Sequence, residues 1–263
     1  MQLRALVERA RFATRFRKPP RCPEGWSTGA PDFIGLGAQR SGTTWWYDLI
    51  AAHPGVHPGI AKELHLLRRY WQAPFDAAAA DRYALFFPRP AGQLVGEWSP
   101  GYLPHFWVPP ILTLAAPDAR FLVMLRDPVE RYQSGLALRA RTRSLKFGDA
   151  TASFRLGLYG AQLEHLLRCV DRDRVLVLQF ERCRADPRGE LARTYRFLGL
   201  DDTVVPDDLS SVRNESRGPK PPLPDQVRQS LLRAYEPDLA RLGALDLGLD
   251  LGLWPSWSPS GHA

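Results

Sequence analysis

The sequence predicts an α/β fold of three layers, α/β/α, around a central, largely parallel sheet that carries a P-loop-like phosphate-binding loop. Three observations predict it. Two apolar runs, Phe121 to Leu125 and Val175 to Leu178, have the length and unbroken apolar character of strands buried on both faces. Segments of helical periodicity alternate with them, as in successive βα units. A third apolar stretch, Phe33 to Leu36, runs into a turn of small residues and then into an apolar helix start at Thr43.

The remaining elements follow in order. At 263 residues the chain can bury one large core. Residues 32–263 are therefore expected to form a single domain, preceded by a basic helix and linker over residues 1–31. Residues 1–18 alternate Arg4, Arg9, Arg11, Arg15, Arg17 and Lys18 with Leu3, Leu6, Val7, Phe12 and Phe16, a pattern that suits either a solvated helix or weak contact with an acidic membrane surface. Residues 19–31, rich in proline and glycine, read as the linker.

The helix from Thr43 is expected to stop near Ala52, at His53-Pro54-Gly55. A short helix over 76–87 closes at Pro88, and Leu94 to Trp98 is a strand end entering a loop. His105 to Ala115 reads as helical, interrupted at Pro109 and Pro110. After the run ending at Leu125, Asp127 suits an N-cap and Pro128 the first turn of the next helix. That helix ends in a basic patch of Arg139, Arg141, Arg143 and Lys146. Phe154 to Val170 reads as one helix, with Tyr159, Leu163, Leu166 and Leu167 on related faces. Pro187 to Leu198 is another, stopped by Gly199. A proline-rich basic loop over 211–224 leads to a last helix from about Asp225 to Leu242.

A net charge of +7 favours an anionic ligand or acceptor, and no nucleic-acid-reading motif accompanies it. Cys22, Cys169 and Cys183 are few, odd in number and without metal-ligand spacing, which suits a reducing compartment and indicates no zinc site. No apolar run approaches the length of a signal peptide core or a membrane span, so a cytoplasmic protein is expected. Nothing in the sequence bears on oligomeric state.

The chemistry-bearing stretch is Gly37-Ala38-Gln39-Arg40-Ser41-Gly42-Thr43-Thr44. Gly37 and Gly42 occupy the two glycine positions of a P-loop, whose backbone N–H groups and helix N-terminus hold phosphate oxygens. Thr43 stands where a nucleotide triphosphatase places its lysine, and Arg40 supplies a cation from within the loop. Such a loop suits a phosphorylated donor other than Mg-ATP. In Lys62-Glu63-Leu64-His65, Glu63 is the candidate base: a carboxylate among apolar neighbours has its pKa raised toward a useful value. Arg126, at the carboxyl end of a buried strand, and Ser134, two helical turns on, are placed to hold a second phosphate.

Together these motifs, with Gly96-Glu97-x-Ser99-Pro100-x-Tyr102, resemble the sulfotransferases that use 3′-phosphoadenosine 5′-phosphosulfate (PAPS), and more narrowly the branch of the heparan sulfate sulfotransferases and their bacterial relatives. The resemblance runs from about residue 32 to about residue 200. It implies that Arg40, Ser41, Gly42, Thr43 and Thr44 hold the 5′-phosphosulfate, that Trp45 also binds the donor, and that Arg126 and Ser134 hold the 3′-phosphate. Arg217 and Gly218 would cover the nucleotide. Glu63 would be the general base and Arg40 the catalytic cation, with Lys62, His65, Trp98 and Tyr102 lining the acceptor side. The scheme requires no metal and leaves adenosine 3′,5′-bisphosphate as product.

Two departures stand out. The family often has lysine where this chain has Arg40, so the charge survives while arginine is a poor proton donor to the leaving phosphate. Glycosaminoglycan-modifying relatives commonly have lysine where this chain has Trp98, which weakens the case for a polyanionic glycan and favours an aromatic or apolar acceptor. The competing readings are a P-loop kinase of nucleotides or small molecules, and a non-catalytic anion-binding protein with no need of Glu63.

Overall fold

The computed structural model describes residue 16 and residues 18–141, 144–209 and 223–257. The expected basic helix falls almost wholly outside the described residues, as do Arg143 and the loop carrying Arg217, Gly218 and Lys220.

Five strands form one sheet: β1 (Phe33–Gly37), β2 (Val56–His57), β3 (Leu94–Trp98), β4 (Arg120–Leu125) and β5 (Val175–Gln179). Their order is β2-β3-β1-β4-β5 and every pairing is parallel. Parallel neighbours require crossovers, and helices supply them. α1 (Thr43–Ala51) follows β1, α2 (Ala77–Ala84) precedes β3, and α3 (Leu112–Ala115) precedes β4. α4 (Pro128–Ala140), α5 (Phe147–Arg155) and α6 (Tyr159–Leu167) lie between β4 and β5. α7 (Phe180–Ala185), α8 (Pro187–Leu198) and α9 (Asp225–Ala244) complete the chain.

The two-residue period of a strand divides the apolar side chains between the sheet's faces. In β4, Phe121, Val123 and Leu125 enter one core with Ile34, Leu36, Val95, Tyr159, Leu163, Tyr235 and Leu239. Leu122 and Met124 enter the other with Phe33, Trp45, Trp46, Ile50, Leu178 and Tyr195. The expected three layers result. Among the described residues no helix is long and apolar enough to cross a membrane.

The order of the strands also locates a crevice. The chain leaves β1 toward β2 on one side and leaves β4 toward β5 on the other. The carboxyl ends of β1 and β4 therefore flank a topological switch point, where open α/β sheets bind ligands.

Asp127 caps α4 as expected, its Oδ1 accepting from Val129 N (2.9 Å) and Glu130 N (3.1 Å), with Pro128 in the first turn. Gly199 ends α8 in the left-handed conformation at φ 75°. The helix expected over Phe154 to Val170 is instead two, broken at Gly157. A Cβ at Gly157 would lie 2.7 Å from the Tyr235 hydroxyl, which donates to Phe154 O at 3.0 Å. Long-range packing by α9, invisible to local periodicity, sets that break.

Candidate active site

β1 ends at Gly37, and the turn to α1 ends at Gly42, the helix N-cap, with φ 87° and no side-chain cap. The first-turn N–H groups of α1 thus have no capping side chain, the condition under which a helix N-terminus receives an anion. Glycine is required here on two counts: the left-handed φ, and a Cβ that would sit 2.5 Å from Cδ2 and 2.7 Å from Cε2 of Phe180. Gly42→Ala is expected to lower stability by about 1–3 kcal/mol, read as a shift in the midpoint of urea unfolding.

Arg40 lies in the same turn with φ 68°, and its Nε donates to Ser134 Oγ at 3.0 Å. This bond joins two groups that the sequence assigns to separate phosphates. Arg126 leaves the end of β4, its guanidinium over the Phe180 ring at 4.9 Å and its Nη2 paired with Glu130 Oε2 at 3.2 Å. Burial, then the positive charges of Arg126 and Arg141, hold the Arg40 pKa below its ordinary value. A guanidinium stays charged under such pressure, so the cluster carries a positive potential that an anion relieves.

One donor nearby, Arg126 Nε, is buried without a hydrogen-bond partner, and the buried Ser41 Oγ meets the Tyr159 hydroxyl. An orphaned buried donor is costly unless a ligand satisfies it. Together with the uncapped helix it fits phosphate groups.

The second half of the site is Lys62 to His65. Glu63 accepts from Lys62 Nζ through Oε1 at 2.8 Å and is bonded to His65 Nε2 through Oε2 at 2.9 Å. Here the expected pKa is overturned. Burial pushes the carboxyl up, but the His65 hydrogen bond and the Lys62 charge outweigh it and hold Glu63 down at about 2. The apolar neighbours in sequence are not its neighbours in space. Lys62 Nζ also lies 3.4 Å from Thr43 Oγ1, in the first turn of α1, so the two halves of the site touch.

What holds this segment is Glu97, on β3 and fully buried. Its Oε2 accepts from Leu64 N (3.0 Å) and Ser99 Oγ (2.5 Å), its Oε1 from the Tyr83 (2.6 Å) and Tyr102 (2.9 Å) hydroxyls. Ser99 Oγ in turn accepts from His65 N at 2.9 Å, fixing His65 at φ 54°. A non-glycine residue in that region costs about 1 kcal/mol or more and persists only where its surroundings fix it.

Three proposed contact residues are corrected by burial. Trp98 is fully buried with its Nε1 on Gly37 O (3.1 Å), and Tyr102 is fully buried on Glu97; neither side chain has surface to offer an acceptor. Trp45 is buried, with its Nε1 on Leu209 O (3.1 Å) and its ring edge-on to Phe180 at 6.3 Å, so it backs the donor side without presenting its side chain to it. Three residues not singled out from the sequence stand at the site. Phe180 packs against Gly42 and Arg126. The charge of Arg68, its pKa lowered by burial and raised in part by Tyr102 and Glu63, reaches both the base and His105. His105 is held down at about 4 by burial and then by the charges of Arg68 and His65.

A parallel sheet with a lysine-free phosphate loop, a second cationic group across the switch point and a carboxylate joined to the loop through Lys62 suits a transferase that uses a phosphorylated donor. The comparisons agree. Residues 63–204, a little over half of the chain, match the Sulfotransferase family, and the chain belongs to it. It is 31% identical over 204 residues to human heparan sulfate glucosamine 3-O-sulfotransferase 3B1, covering 72% of this chain and 50% of that protein. The human 3A1 enzyme of the same name matches at 31% over 72% and 48% of the two chains. The chain thus spans about half the length of the curated relatives it matches. The crystal structure of a sulfotransferase from Alicyclobacillus acidocaldarius superposes with a TM-score of 0.68 at 26% identity, covering 85% of this chain and 98% of that one.

Proposed function

We propose that the protein moves a sulfuryl group from PAPS to a hydroxyl or amine of a small-molecule, lipid or carbohydrate acceptor. The observation that carries this reading is the junction at Thr43: Lys62 links the first turn of α1 directly to Glu63, so a phosphosulfate at the helix N-terminus has its reactive end beside the base. PAPS supplies the activated sulfuryl group. The α1 amides, Arg40 and Ser41 bind its 5′ end and stabilise charge on the leaving phosphate, while Arg126 and Ser134 hold the 3′-phosphate. Glu63 accepts the acceptor's proton as its oxygen or nitrogen attacks sulfur in line, and His65 steadies the carboxylate.

We place the acceptor beside Glu63 and His65, where the charge of Arg68 also reaches the base. The buried Trp98 gives no support to an aromatic acceptor, since its ring packs inward. The human relatives are named as heparan sulfate glucosamine 3-O-sulfotransferases, which supports a sugar hydroxyl among the acceptors.

Calorimetric titration with adenosine 3′,5′-bisphosphate tests the donor assignment, with Mg-ATP as control. The bisphosphate is expected to bind, and Arg126→Ala to weaken it by about 10- to 100-fold through loss of a charge-assisted contact. Binding of Mg-ATP alone would return the loop to a kinase, and binding of neither to a structural turn.

A further inference from the structure

We infer that Lys62 is a catalytic residue of this site: its ammonium contacts the transferring sulfuryl group and the oxygen that bridges sulfur to phosphorus. The inference rests on the sulfotransferase reading above and goes beyond it, because that reading uses Lys62 only as the link between the loop and the base.

Two observations converge on Lys62. First, the phosphate loop has no lysine of its own. Its cation is Arg40, a guanidinium whose Nε is directed to Ser134, and a planar, permanently charged group that does not release a proton. Second, Lys62 Nζ stands between the loop and the base. It lies 3.4 Å from Trp98 O, 3.4 Å from Thr43 Oγ1 and 2.8 Å from Glu63 Oε1. Its side chain is only 13% exposed, so an ammonium is kept largely out of water at the one point common to the helix N-terminus and the base.

An ammonium carries three donors on a flexible stem. In this structure they go to a carboxylate, a hydroxyl and a carbonyl. With PAPS bound, the Thr43 side of that triangle is where sulfuryl oxygens arrive, and their charge competes with Glu63 for Lys62. As Lys62 turns toward the sulfuryl group, Glu63 loses its nearest cation and becomes a better proton acceptor. The balance closes without any further reactant. The acceptor's oxygen or nitrogen forms its bond to sulfur, the sulfur–bridging-oxygen bond breaks, its electron pair stays on the bisphosphate beside Lys62, and the acceptor proton goes to Glu63.

The test compares PAPS with adenosine 3′,5′-bisphosphate, which differs only in lacking the sulfuryl group, and needs no known acceptor. Affinities of the wild type, Lys62→Met and Lys62→Arg for both nucleotides are measured, together with the slow release of bisphosphate when water is the acceptor. Lys62→Met is expected to weaken PAPS about tenfold more than the bisphosphate and to slow release by at least about tenfold, the cost of one charge-assisted contact. Lys62→Arg is expected to retain most of the preference, because it keeps the charge. A Lys62→Met protein with unchanged preference and release, or one that loses both nucleotides equally, would overturn the role of Lys62 alone. A wild type that binds neither nucleotide would overturn the donor reading, and Lys62 with it.

Discussion

Glu63→Gln is expected to lower turnover by about 10²–10⁴-fold while adenosine 3′,5′-bisphosphate affinity stays within about twofold, the signature of a lost general base. The shape is conserved, and the donor site is built from β1, α1 and β4, on the other side of Lys62. What changes is chemistry at one oxygen: glutamine takes no proton, and its amide cannot accept from both Lys62 and His65 as the carboxylate does. The low pKa gives a second expectation with a definite sign. A carboxyl held at about 2 in the free enzyme is ionised at every pH above roughly 4. The acid limb of kcat/KM, which reports the free enzyme, is therefore not set by Glu63 in the ordinary carboxylate range. A limb at that range that vanished in Glu63→Gln would contradict the ion-pair geometry, and a variant with wild-type turnover would remove Glu63 as the base.

The fold was legible in the sequence wherever the signal was local. Apolar runs marked β4 and β5, Asp127-Pro128 marked the start of α4, and Gly42 of the phosphate loop fell where the backbone turns left-handed. Legibility failed where a residue's role depends on what another part of the chain brings to it. Gly157 breaks a helix because Tyr235 comes to it from α9. Leu64 flanks Glu63 in sequence but is itself turned into the core, while Lys62 and His65 close on the carboxylate from either side, which reverses the direction expected for its pKa. Trp98 and Tyr102 stand next to site residues in the chain and yet point inward, because strand alternation and the Glu97 carboxylate turn them there. The pairing of Arg40 with Ser134 across 94 positions had no local trace.

Replacing Glu97 should damage both stability and turnover, and the two losses have one cause. The carboxylate is fully buried and satisfied by four donors, Leu64 N, Ser99 Oγ and the Tyr83 and Tyr102 hydroxyls. Glu97→Ala strands all four in a dry pocket and opens a cavity, for a loss of about 3–5 kcal/mol in unfolding free energy. Glu97→Gln is the sharper experiment. It keeps the volume but turns one accepting oxygen into an NH₂ that faces donors, so one pair of the four is opposed donor to donor. If the amide faces Leu64 and Ser99, the strained His65 turn loses its restraint and Glu63 loses its partner. If it faces the tyrosines, their hydroxyls can rotate, and the loop is less disturbed. The expected outcome is a loss of about 1–3 kcal/mol with reduced turnover and unchanged bisphosphate affinity, measured by urea unfolding, steady-state kinetics and calorimetry on one preparation. Equal loss of donor binding would mean that Glu97 supports the whole crevice. Stability and turnover both at the wild-type level would mean that the four hydrogen bonds do not hold the base in place.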